Sequence, residues 1–458
     1  MATPAVTTTF SDAMAGRPLR AFQLTTFVVC MLVLIADGMD AQLLGIVAPK
    51  VIETFGVDRG TFGIAMSAAL VGFGIGSWGG GWLGDTIGRR YSLALAALVF
   101  SLATIGASLS DGVWHMAAWR LLGGIGFGSA YANAITLASE WLPERWRSVG
   151  VTTLSVGTPA GGFVVAAIAP TLIDAYGWRG SFVIFGAGTL LVVILILALL
   201  RDSPSFLLAR GKTEAARRAA VRVLDAEHDL VPELHASAQA GDAAVGVLDR
   251  SNLRLNIGVG VSFTAAALVA YGILSWTTTM LTAQGFAFDE ASYAISVGGI
   301  TSVIASVAAG LLIRWLGSRV LISAISVVLL ATLVGLCLVI ETMPGVPTES
   351  DRLLVVALVG LAAAVFSAGI ASMYAIMTYA YPPSCRSAGI GFGIFMGRVG
   401  AVTATALGGK LLDLGHGSVV PFFAVMAVGA VLVSASAIIV DRQIPPARKA
   451  GGSVPESV

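Results

Sequence analysis

Twelve runs of about 20 mostly apolar residues, the length that crosses a bilayer core of about 30 Å, follow one another along the chain. They lie at approximately 22–47, 61–82, 91–109, 113–139, 149–172, 180–200, 255–283, 292–313, 320–340, 353–381, 389–412 and 419–440. Hydrocarbon offers the backbone no hydrogen-bond partners, so runs of this length must satisfy their own amides as helices. Composition agrees: 56% of the 458 residues are hydrophobic and 12% are charged, against about 25% charged in a soluble domain. The expected fold class is therefore an all-α polytopic membrane protein. Disorder and a secreted disulfide scaffold are excluded, and the 55 glycines show no collagen period. A net charge of +1 points to no nucleic acid or other polyanion. Cys30, Cys337 and Cys385 fall in separate segments, so neither a disulfide framework nor a metal site is expected. Residues 1–21 lack an apolar h-region before a cleavage site, so the first run is expected to remain as a span.

Lysine and arginine orient the chain. With the N-terminus inside, 20 of them fall in inside segments and five outside, whereas acidic residues divide 14 to ten. A bias in the cations alone is the positive-inside pattern, so both termini are expected in the cytoplasm. The polar stretch 201–254 separates two halves of six spans. The expected organisation is an N-terminal tail (1–21), a first bundle (22–200), a central loop (201–254), a second bundle (255–440) and a C-terminal tail (441–458). Thr213–Leu224 reads as a short amphipathic helix with Thr213 as its N-cap, lying solvated at the membrane surface. The halves repeat: Gly81-x3-Asp85-x2-Gly88-x-Arg90 recurs as Gly310-x3-Arg314-x2-Gly317-x-Arg319, and Arg147-Ser148-Val149-Gly150 as Arg386-Ser387-Ala388-Gly389. Parallel halves with a site between them suit a carrier that opens one site to alternate faces.

These residues resemble a family. Gly81-Trp82-Leu83-Gly84-Asp85-Thr86-Ile87-Gly88-Arg89-Arg90, with its weaker copy at 310–319 and Arg120-x2-Gly123-x2-Gly126-x-Gly128, looks like the signature set of the major facilitator superfamily. That resemblance covers about residues 20–440 and implies twelve helices in two pseudo-symmetric six-helix bundles. Asp37-Gly38-Met39-Asp40-Ala41-Gln42 is similar to the first span of the aromatic acid/proton symporters. Arg201-Asp202-Ser203-Pro204-Ser205 is shared more loosely with sugar and organic-ion carriers. Gly157-Thr158-Pro159-Ala160-Gly161-Gly162 only partly matches the antiporter motif, since its glycine and proline are not adjacent, which speaks against efflux.

Asp37 and Asp40, three residues apart, share a helix face, and each charged Asp at mid-span costs roughly 2.5–3.5 kcal/mol. A carboxylate protonated in one conformation and released in another is what proton coupling requires; pairing of both with Arg120 for structural reasons is the plain alternative. Arg120 lies at about the depth of Asp40 and could pass its charge to an incoming organic anion, because guanidinium binds carboxylate bidentately and keeps its charge. Arg398, between Gly397 and Val399, has no second-half acid at its depth. A transported carboxylate could serve it, or it could snorkel or bind helix carbonyls.

Asp85, Arg89 and Arg90 sit at the inner mouth, where an acid can face a neighbouring helix N-terminus; the resemblance makes this loop an inner-gate latch. Glu140, Arg147, Arg314 and Arg386 are expected in the same inner network, weaker at Arg314 where the acid is lost. Stripes at Gly72, Gly76, Gly80 and Gly84, and at Gly298, Ser302, Ser306 and Gly310, read as helix packing surfaces. Tyr271, Trp276, Phe366, Tyr374 and Tyr379 could stack on a ring, although most membrane aromatics pack or anchor. Neither a phosphate-cradling GxxxxGK[ST] loop nor a nucleophile–base set occurs, so the expectation is not an enzyme.

The expected protein is an inner (plasma) membrane secondary transporter, working as a monomer in the lipid bilayer. It should import a small aromatic carboxylate of the benzoate, hydroxybenzoate or protocatechuate type with protons and no other cofactor. Asp37 and Asp40 would bind the proton, with Arg120, Arg398, Gln42, Trp276 and Tyr374 about the substrate. The alternatives are a proton-coupled carrier of another organic acid or a sugar, and a non-transporting nutrient sensor.

Overall fold

The computed structural model describes residues 8–224, 230–232, 246–343, 347–382 and 385–446, and of 148, 152, 155, 386 and 387 the backbone alone. A five-residue helix α1 (Phe10–Met14) precedes the first half, which comprises α2 (Ala21–Phe55), α3 (Arg59–Ile87), α4 (Arg89–Ser108), α5 (Val113–Trp141), α6 (Glu144–Ser155) and α7 (Gly157–Leu199). Short helices α8 (Pro204–Ala209) and α9 (Thr213–Ala220) follow. The second half comprises α10 (Leu253–Ala283), α11 (Phe288–Leu316), α12 (Ser318–Thr342), α13 (Glu349–Ala380), α14 (Arg386–Leu414), α15 (Val420–Val433) and α16 (Ala435–Ile439).

Among the described residues, eleven helical stretches are long and apolar enough to cross a membrane. One of them, α7, is two crossings joined at Gly177, whose φ of 67° and ψ of 175° only glycine adopts readily. The total is twelve.

Two spans differ from expectation for local reasons. The fifth begins at Gly157 rather than 149, because Pro159 cannot donate to the Ser155 carbonyl and its ring crowds that oxygen; residues 144–155 form the separate α6. The twelfth is interrupted at Ser434, where the Ser436 amide donates to Ser262 Oγ on α10 at 2.7 Å. In the central loop, Lys212 rather than Thr213 precedes α9 and supplies no side-chain cap. That segment is not free in solvent: Ala219 and Ala220 of α9, and Val223 and Leu224 just after it, join the core of the first half. A two-residue parallel pairing of β1 (Thr8–Thr9) with β2 (Leu230–Val231) ties the N-terminal tail to this segment.

The α3 stripe packs as its spacing predicts. A Cβ at Gly72, Gly76 or Gly80 would fall 2.2, 2.0 or 2.3 Å from α5 atoms, and one at Gly84 would meet Asn133. On α11, Ser302 donates to the Ala363 carbonyl of α13 at 3.1 Å.

The core shows how the halves meet. At the end where α2 stops and α3 starts, one cluster contains residues of both halves, among them Leu43, Val47, Phe62 and Met66 with Trp276, Met280, Phe366 and Phe422. Towards the 81–90 loop it divides into Val33, Leu93, Phe127 and Trp141 in the first half and Leu255, Ile376, Tyr381 and Val433 in the second. Among the described residues the halves are sealed at the first end and parted at the 81–90 end.

Candidate functional site

The Asp37-x2-Asp40 spacing turns the second acid about 60° from the first, and the two enter different surroundings. A Cβ at Gly38 would lie 1.9 Å from the Thr158 carbonyl, so α2 and α7 touch backbone to backbone there. Thr158 then reaches Asp37, its hydroxyl donating to Oδ2 at 3.1 Å. Asp40 faces the first half instead: Arg120 Nη1 donates to its Oδ2 at 2.6 Å, Thr104 Oγ1 to its Oδ1 at 2.7 Å, and Arg120 Nη2 to its carbonyl at 3.3 Å. Both acids are buried, and Arg120 is only 2% exposed.

Arg398 leaves α14 where glycines press that helix onto α10; a Cβ at Gly400 would lie 2.0 Å from the Thr264 carbonyl. Its Nη1 donates to Tyr271 Oη at 2.9 Å, and its guanidinium crosses to the first half, 3.7 Å from the Phe73 ring centroid. Asp37 and Arg398 are within each other's field yet farther apart than the 4.0 Å of an ion pair. Tyr131 leans on Phe73 at 5.8 Å and Tyr374 on Phe263 at 5.3 Å, both within the field of Arg398. Neither tyrosine hydroxyl has a hydrogen-bond partner among the described residues. The result is a cluster near the middle of α2 and α14, one acid, one cation and five aromatic rings drawn from both halves.

Sequence reasoning placed Asp37, Arg398 and Tyr374 in the site, and they come together. No second-half acid was expected at the depth of Arg398; the acid whose field reaches it, Asp37, stands on the first half and makes no ion pair with it. Phe73, Tyr131 and Thr158 were missed. Gln42 and Trp276 lie elsewhere, in the sealed seam: Gln42 Nε2 donates to the Leu274 carbonyl at 2.7 Å, and fully buried Trp276 donates to the Thr405 carbonyl at 3.2 Å. Arg120 is enclosed with Asp40.

At the parted end, Arg89 bridges Asp85 at 2.6 Å and Glu140 at 3.4 Å, and Ser203 donates to Glu140 at 2.6 Å. The acid at the α4 N-terminus is not Asp85, whose side chain is 66% exposed. It is Asp202, which accepts the Arg90 amide at 2.9 Å. Burial pushes the Asp202 carboxyl above its ordinary value, against the opposing Arg90 amide bond. Arg147 donates to the Ser139 carbonyl at 3.2 Å and to Ser11 at 3.1 Å. Arg314 is exposed, without an ion pair among the described residues, and the Arg386 side chain lies outside those residues. The observed network belongs to the first half.

Residues 30–348 match the profile of the Major Facilitator Superfamily. The chain belongs to that superfamily. It is thus a multi-pass membrane transporter and not an enzyme.

Among curated proteins it is 28% identical to the 4-hydroxybenzoate transporter PcaK of Pseudomonas aeruginosa, over 87% of this chain and 88% of that one. It is 29% identical to a gallate transporter of Pseudomonas putida, with 89% of each covered, and 30% identical to PcaK of Acinetobacter baylyi, with 86% of each covered. Among solved structures it is similar to a D-xylose–proton symporter, with a TM-score of 0.71 at 16% identity over 93% of this transporter and 99% of the other. A bacterial homologue of the lysosomal transporter Spinster, in an inward-facing conformation, gives 0.71 at 13% identity, with 92% and 97% covered. At such identities the shared feature is the fold.

Proposed function

We propose that this transporter imports a small aromatic carboxylate together with a proton by alternating access, with Asp37 as the proton site and Arg398 as the anion site. The observation that carries the reading is the pair itself: opposite charges on opposite halves, at the midplane, close enough to feel each other and too far apart to be bonded, inside a ring of aromatic side chains. Three curated relatives that cover most of the chain are named for 4-hydroxybenzoate or gallate.

The charge arithmetic then gives coupling. With Asp37 deprotonated and no substrate bound, the site holds one negative and one positive charge and is neutral. When a substrate carboxylate binds Arg398, Asp37 is left without its partner, and an uncompensated buried charge is costly. Uptake of one proton on Asp37 restores neutrality, so the loaded site can cross with substrate and proton together, whereas substrate without a proton leaves a net negative charge. Phe73, Tyr131, Tyr271 and Tyr374 offer the ring faces and edges to stack on. Asp40 and Arg120, already bonded to each other, serve in this reading to hold α2 against α5 rather than to exchange.

The excess of Lys and Arg on the 81–90 side supports placing that side, and both termini, in the cytoplasm. The Asp85–Arg89–Glu140–Asp202 network would be the gate there.

The test is uptake of radiolabelled benzoate, 4-hydroxybenzoate and protocatechuate into vesicles holding the purified protein, with and without an imposed inward proton gradient. Gradient-driven accumulation that Asp37→Asn abolishes is expected. Accumulation unaffected by the gradient would remove the coupling reading, and no accumulation of any aromatic acid by folded protein would remove the substrate class.

A further inference from the structure

Asp413 is placed against its own helix. It lies in the last turn of α14, where the macrodipole presents partial negative charge and an acid is unfavourable. Across the seam between the halves, however, it sits at the start of α3: its Oδ2 accepts the Gly60 amide at 3.1 Å, a bond joining residues 353 apart in sequence. Its Oδ1 is 4.0 Å from Arg59 Nε. The α3 N-terminus already has its own cap, Asp58, whose Oδ1 accepts the Thr61 amide at 2.7 Å. Asp413 takes the Gly60 amide, which Asp58 also approaches, so the first turn is held by one acid from each half.

The backbones are in contact around it. A Cβ at Gly409 would lie 2.1 Å from the Arg59 carbonyl, and one at Gly60 would lie 2.7 Å from the Lys410 side chain. One turn deeper, Trp276 fills the space beside Gly63 and Gly408.

We propose that Asp413 is a positioning residue of the transport cycle, the latch that favours closure of the seam end. Its interaction is state-dependent by construction. With the seam closed, its charge meets the positive end of α3 and Arg59; with the seam open, it loses both and keeps the negative end of its own helix, with Lys410 one turn back in either state. A group that interacts differently with two conformations shifts their populations by that difference and no more. The inference rests on the alternating-access reading above but uses no residue of the midplane site.

The experiment measures both ends at once, in full-length protein whose three native cysteines are replaced by Ala. One reporter is Ser275→Cys, inside the seam, where the native hydroxyl lies 3.2 Å from Thr405 Oγ1. The other is Gly391→Cys, seven residues and so two turns from Arg398 on the same face of α14, with nothing within 4 Å of its Cβ. Rates of alkylation by a soluble maleimide are compared in Asp413→Ala, Asp413→Asn and the parent. Asp413→Ala is expected to speed labelling of the seam reporter about three- to ten-fold, the range of a lost charged cap, and to slow the Gly391→Cys reporter. Asp413→Asn, which keeps an acceptor without the charge, should fall between. Unchanged rates at both reporters overturn the latch, and faster labelling of both means general loosening and overturns it too. Gly63→Trp, a wedge driven into the seam, separates the two readings. If the wedge exposes Ser275→Cys and Asp413→Ala does not, the halves open there and the latch alone is wrong. If neither does, alternating access at this seam fails, and the latch with it.

Discussion

The guanidinium of Arg398, on the second half, lies 3.7 Å from the centroid of the Phe73 ring on the first. A cation held on a ring face is attracted by about 0.5–2 kcal/mol, more when desolvated, and here that attraction acts across the interface between the halves. Arg398→Lys keeps the charge and loses the planar fork, so substrate affinity should fall about 10- to 100-fold, the worth of a bidentate charge-assisted pair. Phe73→Leu should weaken binding less, by up to about ten-fold. Concentration dependence of uptake measures both; an Arg398→Lys protein with unchanged KM would remove Arg398 from the anion site.

The tyrosines should read substituents rather than the carboxylate. Tyr271 already accepts from Arg398, whereas the hydroxyls of Tyr131 and Tyr374 are unpartnered among the described residues. A neutral hydrogen bond contributes about 0.5–1.5 kcal/mol. Tyr131→Phe or Tyr374→Phe is therefore expected to raise KM for 4-hydroxybenzoate by up to about ten-fold and to leave benzoate unchanged. An equal effect on both compounds would show that the hydroxyls do not read the ring.

Asp40 and Arg120 bond at 2.6 Å with both side chains almost wholly buried. Removing one partner strands the other charge, at about 3–5 kcal/mol, so Asp40→Asn and Arg120→Gln should each lower the unfolding midpoint in detergent sharply. The double variant should recover most of the loss. It should also keep gradient-driven accumulation, which Asp37→Asn does not; a folded double variant that no longer couples to the gradient would return Asp40 to the proton path.

What could be read from the sequence follows from what hydrocarbon penalises. Asp37, Asp40, Arg120 and Arg398 stand out because each is a charge where charge is expensive, and the twelve spans follow from the same penalty. Partner choice does not follow, because it depends on which helices touch. The Gly38–Thr158 approach and the Gly400–Thr264 approach send Asp37 towards the interface and Arg398 across it. Phe73 and Tyr131 carry no such penalty and look like any packing aromatic until Arg398 is found beside them. Trp276 shows the converse error: chemically suited to a ring, it is held in the seam by glycines at 63 and 408, far apart in sequence. Asp202 was visible in its motif, but its target, the α4 N-terminus, belongs to a loop 112 residues earlier.

Asp202 also supplies a pH dependence with a definite sign. Its folded-state carboxyl is raised above the ordinary value by burial, so the folded protein holds that proton over a pH range where the unfolded chain has released it. Stability from this group is therefore largest in acid and declines as pH rises from the ordinary Asp value of 3.8 through the raised one. Asp202→Asn keeps an oxygen for the Arg90 amide and cannot ionise, so it should not show this decline. The difference in unfolding midpoint, variant minus wild type, is expected to become more positive as pH is raised from about 4 to 7. Midpoints read across that range by tryptophan fluorescence check it: a difference that stays flat would mean the carboxylate ionises in the folded protein as it does in the unfolded chain. One that moves the opposite way would mean that the Arg90 contact outweighs burial.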